Sequence, residues 1–127
     1  MEDADAAEEW LDSWASQVHA QAERSVELSR RVAALTGSAE GRDGAIRVTV
    51  GSSGQVELLE LDDRVHAVSG PQLGREIVAV MRRAQAVLSA KVAEQVQATV
   101  GADSEAGRAV IDSFEARFPA PDGRDGR

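Results

Sequence analysis

The chain has 127 residues, the length of one ordinary domain, and no cysteine, which excludes disulfides, thiolate chemistry and cysteine-ligated metals. A net charge of −8 excludes an indiscriminate polyanion binder, because phosphate contacts need clustered Lys and Arg. Hydrophobic residues make up 43%, yet with two Trp, two Phe and no Tyr the apolar volume is mostly Val, Leu and Ala, a thin core that gains from burying more surface against a second copy. The N-terminal acids Glu2, Asp3, Asp5, Glu8 and Glu9 are the opposite of a secretory leader, and no apolar run approaches the ~20 residues of a membrane span. The expectation is a cytoplasmic protein with no membrane contact.

From Glu8 to about Leu35, Leu11, Trp14, Val18, Gln21, Ser25, Leu28, Val32 and Leu35 recur in alternating steps of three and four. That seam predicts a long helix packing against another helix, weakened in the middle by Gln21 and Ser25. Trp10 and Trp14 lie one turn apart and read as anchors of a core or dimer contact. Gly37, Gly41 and Gly44 break the helix, with room for a short strand around residues 35–40. Residues 45–50, Ala-Ile-Arg-Val-Thr-Val, alternate as a half-buried strand does, with Ile46, Val48 and Val50 on one face. The turn Gly51-Ser52-Ser53-Gly54 leads into a second strand over 55–61, where the adjacent pair Leu58 and Leu59 leaves open which face Val56 shares with Leu61.

Ser69, Gly70 and Pro71 form a helix-start signal, and a helix follows to about Val100. Its apolar positions Leu73, Ile77, Val80, Met81, Ala84, Val87, Leu88, Val92 and Val96 fill about half the circumference, more than one small sheet covers. Arg75, Arg82, Ser89 and Gln97 lie opposite. Gly101 ends this helix, and 104–118 reads as a short amphipathic helix carrying Val110, Ile111, Phe114 and Phe118. Residues 119–127 are too rich in Pro, Gly and charge to bury anything and are expected to be disordered. The organisation is therefore 1–100, helix–sheet–helix; 101–118, an added amphipathic helix; and 119–127, a tail. The fold class is α+β, with a small antiparallel three-stranded sheet between long helices.

No phosphate-cradling Gly-x4-Gly-Lys loop, dinucleotide-binding glycine pattern or nucleophile elbow is present. His19 and His66 lack a second ligand at metal spacing, and the adjacent Asp62 and Asp63 project in different directions with no general acid or pocket signal accompanying them. They read as surface residues, and the expectation is a non-enzyme without metal or cofactor. Charge is segregated: residues 71–100 hold four bases and two acids, whereas residues 1–36 hold three bases and eight acids. Arg75, Arg82 and Arg83 on the long second helix, with Lys91 nearer its apolar edge and Arg30 and Arg31 at the end of the first helix, are the candidate phosphate contacts.

The order of long helix, glycine break, hairpin and long helix, with Gly44, Val48-Thr49-Val50, Gly54 and Leu59-Glu60-Leu61-Asp62 at its turns, resembles the YbaB/EbfC family of bacterial nucleoid-associated proteins over roughly residues 10–100. The resemblance implies a homodimer whose helix ends project like tweezers and which binds duplex DNA with little sequence preference. It carries no catalytic residues and no short DNA-contact motif. Abundant Ala, Val, Arg and Asp with a single Lys point to a high-GC genome and an actinobacterial-type member. The expected DNA-binding residues are Arg75, Arg82, Arg83, Arg30 and Arg31. The expected dimer or partner interface is Trp10, Leu11, Trp14, Val18, Ile77, Met81, Ala84 and Leu88. The alternative is an acidic dimeric adaptor or chaperone-like module that binds a protein through Trp10, Trp14 or the Phe114 and Phe118 helix and does not bind DNA.

Overall fold

The computed structural model describes residues 2–119. The elements run α1 (Glu2–Ala33), β1 (Gly37–Gly41), β2 (Ile46–Val50), β3 (Val56–Leu61), α2 (Gly70–Thr99) and α3 (Glu105–Arg117), with 3-10 turns at Arg42–Gly44 and Asp63–Ala67. This is the α+β, helix–sheet–helix layout with a three-stranded antiparallel sheet of order β1-β2-β3. Except for Pro119, the expected disordered tail of 119–127 lies outside the described residues.

Helix α2 starts where its cap predicts: the Ser69 hydroxyl accepts a hydrogen bond from the Gln72 amide, with Pro71 in the first turn. Its stripe at steps of four, Val80, Ala84, Leu88, Val92 and Val96, is wholly buried and meets Ile46, Val48 and Val50 from β2. The closest approach is at β1, where a Cβ on Gly37 would sit 2.2 Å from the Ala84 carbonyl oxygen and 2.7 Å from the Leu88 amide nitrogen. Only glycine fits between that strand and the helix backbone. A helix is about 10 Å across and strands lie about 4.8 Å apart, so one helix covers two strands. Helix α2 accordingly packs on β1 and β2 and leaves β3 exposed along its whole length.

The open question of register in β3 is settled by an irregularity. Val48 pairs with Leu59 and Thr49 with Leu58, but Val50 pairs with Val56, so Glu57 is passed over. Val56, Leu59 and Leu61 thereby join the face of Ile46, Val48 and Val50, and Leu58 takes the opposite face. A bulge allows this, and strict alternation hides it.

The β1–β2 connection is left-handed: Arg42, Asp43 and Gly44 have φ of 50°, 55° and 89°, a conformation that costs Arg and Asp energy. Three contacts hold it. Arg42 pairs with Glu76 of α2 at 2.6 Å, the Asp43 carbonyl accepts from Arg64, and Arg64 grips Asp62 through Nε at 2.9 Å and Nη2 at 2.6 Å. Asp62 also accepts from the Arg64 amide, capping the turn that leaves β3. The Leu-Glu-Leu-Asp ending of β3 thus has a physical reason, since its Asp ties the strand end to the preceding hairpin through Arg64.

Helix α3 docks on the far half of α2 and on the β2–β3 turn. Phe114 is buried, Phe118 lies over Gly54, which has a φ of 82° that only glycine adopts freely, and Arg117 stacks 5.1 and 4.9 Å from the two ring centres while donating to the Ser53 carbonyl. Gln85 of α2 donates to the Gly54 carbonyl, so the turn is clamped from both sides. Part of the wide apolar stripe on α2 is therefore covered by the chain's own third helix.

Two consequences are measurable. Gly37→Ala drives a methyl group into helix backbone that cannot yield, and should cost about 2–4 kcal/mol of stability in urea denaturation. The hydrogen bonds and ion pair from Arg64 hold the Asp62 carboxyl below its ordinary range, so its stabilising effect is present at neutral pH and is lost as pH falls through the depressed value. The melting temperature of Asp62→Asn should lie below that of the native chain at pH 7, with the gap closing below about pH 4.

Candidate nucleic-acid interface

Among the described residues no group of three or more His, Asp or Glu side chains is arranged to hold a metal, and no helix is long and apolar enough to cross a membrane. What remains is a surface question, namely which cations are available to a ligand.

Residues seven apart on a helix lie within about 20° of one another and ~10 Å apart along the axis. Arg75 and Arg82 stand in this relation, on the side of α2 opposite Ala84 and therefore away from the sheet. Both are exposed, and neither has an ion pair or a side-chain hydrogen bond among the described residues. Beyond Arg82 the same side of the helix, Ala86, Ser89 and Ala93, is half-buried against α3, where Ile111, Glu115 and Phe118 line the cleft, so the part of this side left outward is the stretch from Arg75 to Arg82. The one acid near Arg75, Glu76, is already engaged by Arg42.

The other candidate cations are spoken for to different degrees. Arg83 reaches back to β1 and donates to the Glu40 carbonyl at 2.6 Å, and Lys91 donates to the Thr36 carbonyl at 2.9 Å. Both cover the β1 side of the sheet rather than facing outward. Arg30 and Arg31 share Glu27, each at 2.8 Å, in the last turn of α1, where cations also complement the helix dipole. They are exposed and their pairs are surface pairs worth little, so they are loosely held. The sequence places Arg83 and Arg82 side by side, and only the helix phase relative to β1 separates a tethering residue from a free one.

The expected interface residues divide in the same way. Ala84 and Leu88 are fully buried in the chain's own core beneath β1 and β2, and Ile77 and Met81 lie half-buried at its margin. Trp10, Leu11, Trp14 and Val18 are exposed, with 64% and 55% of the two Trp surfaces accessible. The apolar surface that sequence reasoning missed is on β3: Val56, Leu59 and Leu61 are 43–45% exposed, on an edge strand of the sheet. The bulge at Glu57 brings Val56 to the face of Leu59 and Leu61, which strict alternation does not reveal.

No curated protein and no solved structure matches the chain. A family model does, over residues 8–103, which takes in most of α1, the whole sheet and all of α2 and stops short of α3. With that match spanning the helix–sheet–helix core and its outward arginines, the chain belongs to the YbaB/EbfC DNA-binding family.

Proposed function

We propose that the protein is a nucleoid-associated factor of the bacterial cytoplasm that binds duplex DNA as a homodimer with little sequence preference. The observation that carries the reading is the outward stretch of α2 from Arg75 to Arg82, on which both arginines are exposed and unengaged among the described residues. Two cations aligned on a helix face suit phosphate oxygens, and phosphate contacts position a protein on DNA without reading bases. On a body of net charge −8, most of the surface repels DNA, so a contact through these two arginines is local and oriented. The composition supports an actinobacterial-type member.

The homodimer reading rests on β3. Among the described residues no side-chain hydrogen bond reaches β3, whereas Arg83 and Lys91 guard the β1 side. An open edge with Val56, Leu59 and Leu61 beside it is self-complementary: a second copy pairing antiparallel along β3 continues the sheet and covers the apolar face that α2 is too narrow to reach. Such a two-fold doubles the arginine strip and carries the tweezer-like arrangement implied by the family. The adaptor reading that excludes DNA draws on the exposed Trp10 and Trp14, and binding to random duplex separates the two.

A titration of random duplex at two salt concentrations tests the contact. The Arg75→Glu and Arg82→Glu double variant should lose most of its affinity at about 0.1 M salt while keeping its sedimentation behaviour. Its log–log salt slope should fall by roughly 3–4 relative to the native dimer, at about 0.9 per lost phosphate contact; unchanged binding removes these arginines from the interface. Independently, Leu59→Asp places like charges opposite each other near the centre of a paired β3 and should convert the dimer to monomer in sedimentation velocity at micromolar concentration, without loss of helix content.

A further inference from the structure

Helix α1 carries one apolar stripe with two fates. Its C-terminal end, Leu28 and Val32, packs on the body, and the same stripe runs outward through Val18, Trp14, Leu11 and Trp10, where every residue from Asp5 to His19 is exposed. About four turns of helix, roughly 22 Å, therefore stand free of the chain. Isolated helices of that length are marginal in water, and each Trp carries 150–250 Å² of surface that gains from burial, about what a partner anchor supplies.

Charge decides among the occupants. Between residues 5 and 23 the helix bears Asp5, Glu8, Glu9, Asp12 and Glu23 and no Lys or Arg; the first base is Arg24. Two copies of this half laid together bring two segments of like charge side by side with no Lys or Arg to offset them. DNA is repelled more strongly still. We propose that the projecting half of α1 is a docking surface for a basic amphipathic helix of another protein, whose apolar face covers Trp10, Leu11, Trp14 and Val18 while its Lys and Arg side chains are drawn in by Glu8 beside the stripe and by the field of the acids on the rest of the helix. The surface is separate from the arginine strip, so a dimer bound to DNA through α2 holds two such helices available to a partner, and its use does not depend on the DNA contact.

The chain has two Trp and both lie on this stripe, so its tryptophan emission reports on this surface alone. The full-length protein is titrated with a synthetic Leu/Lys amphipathic helical peptide, with a Leu/Glu peptide of the same apolar face, and with random duplex. The expected result is a saturable blue shift with the Leu/Lys peptide only, from an emission maximum that does not move with protein concentration. The charge-neutral variant Leu11→Gln with Val18→Gln should weaken the peptide by about tenfold or more while leaving the circular dichroism and DNA binding unchanged. An equal shift with the Leu/Glu peptide, no shift with the Leu/Lys peptide, or unaltered affinity in the variant overturns the proposal. A blue shift with rising protein concentration alone would give the stripe to a second copy, and one with duplex alone would give it to DNA; either also overturns it.

Discussion

Strand β1 and helix α2 touch backbone to backbone at Gly37, and the remaining architecture depends on that contact. Because no side chain separates them there, the stripe from Val80 to Val96 lies flush on Ile46, Val48 and Val50, and the core closes with small aliphatic residues in a chain that has few aromatics. The same geometry fixes the helix phase. With Ala84 against β1, Arg75 and Arg82 must face solvent, and Arg83 must fall where it can reach the Glu40 carbonyl. A shift of one residue would exchange the tethering arginine for the free one.

The contact also creates what the fold leaves unfinished. A single helix spans two strands, so β3 keeps an apolar face without cover, and α1 extends beyond the body with half of its stripe bare. These are different surfaces with different electrostatics: β3 carries Val56, Leu59 and Leu61 along an open edge, whereas the α1 stripe belongs to a helix segment whose charged side chains are all acidic from Asp5 to Glu23 apart from His19. A third surface, the arginine strip of α2, has the opposite sign. The three surfaces lie on different elements, β3, α1 and α2.

Helix α3 lies outside the stretch matched by the family model and completes the core at the other end. Through Phe114, Phe118 and Arg117 it clamps the β2–β3 turn, and in doing so it covers the part of α2 for which the width of the apolar stripe demands a partner. The inference from stripe width to a second subunit is therefore satisfied in part within the chain. The case for a copy of the protein moves from α2 to β3.

By itself the sequence determined the elements and their class. Periodicity placed α2 and α3 to within a few residues, Ser69 and Pro71 fixed a helix start, the alternation of Ile46, Val48 and Val50 identified the buried strand, and the hairpin and its closing Asp carried the family resemblance. These are local properties, written in side-chain spacing and turn chemistry. Tertiary structure alone decided which exposed positions are available. Whether Arg82 or Arg83 is free depends on where β1 lies beside the helix, and whether Ala84 and Leu88 form an interface or a core depends on what covers them. Which face takes Val56, Leu59 and Leu61 depends on a bulge whose register only the pairing with β2 defines. The left-handed run Arg42–Asp43–Gly44 was likewise invisible, because residues that dislike that conformation are held in it by Glu76 and Arg64, contacts from distant parts of the chain.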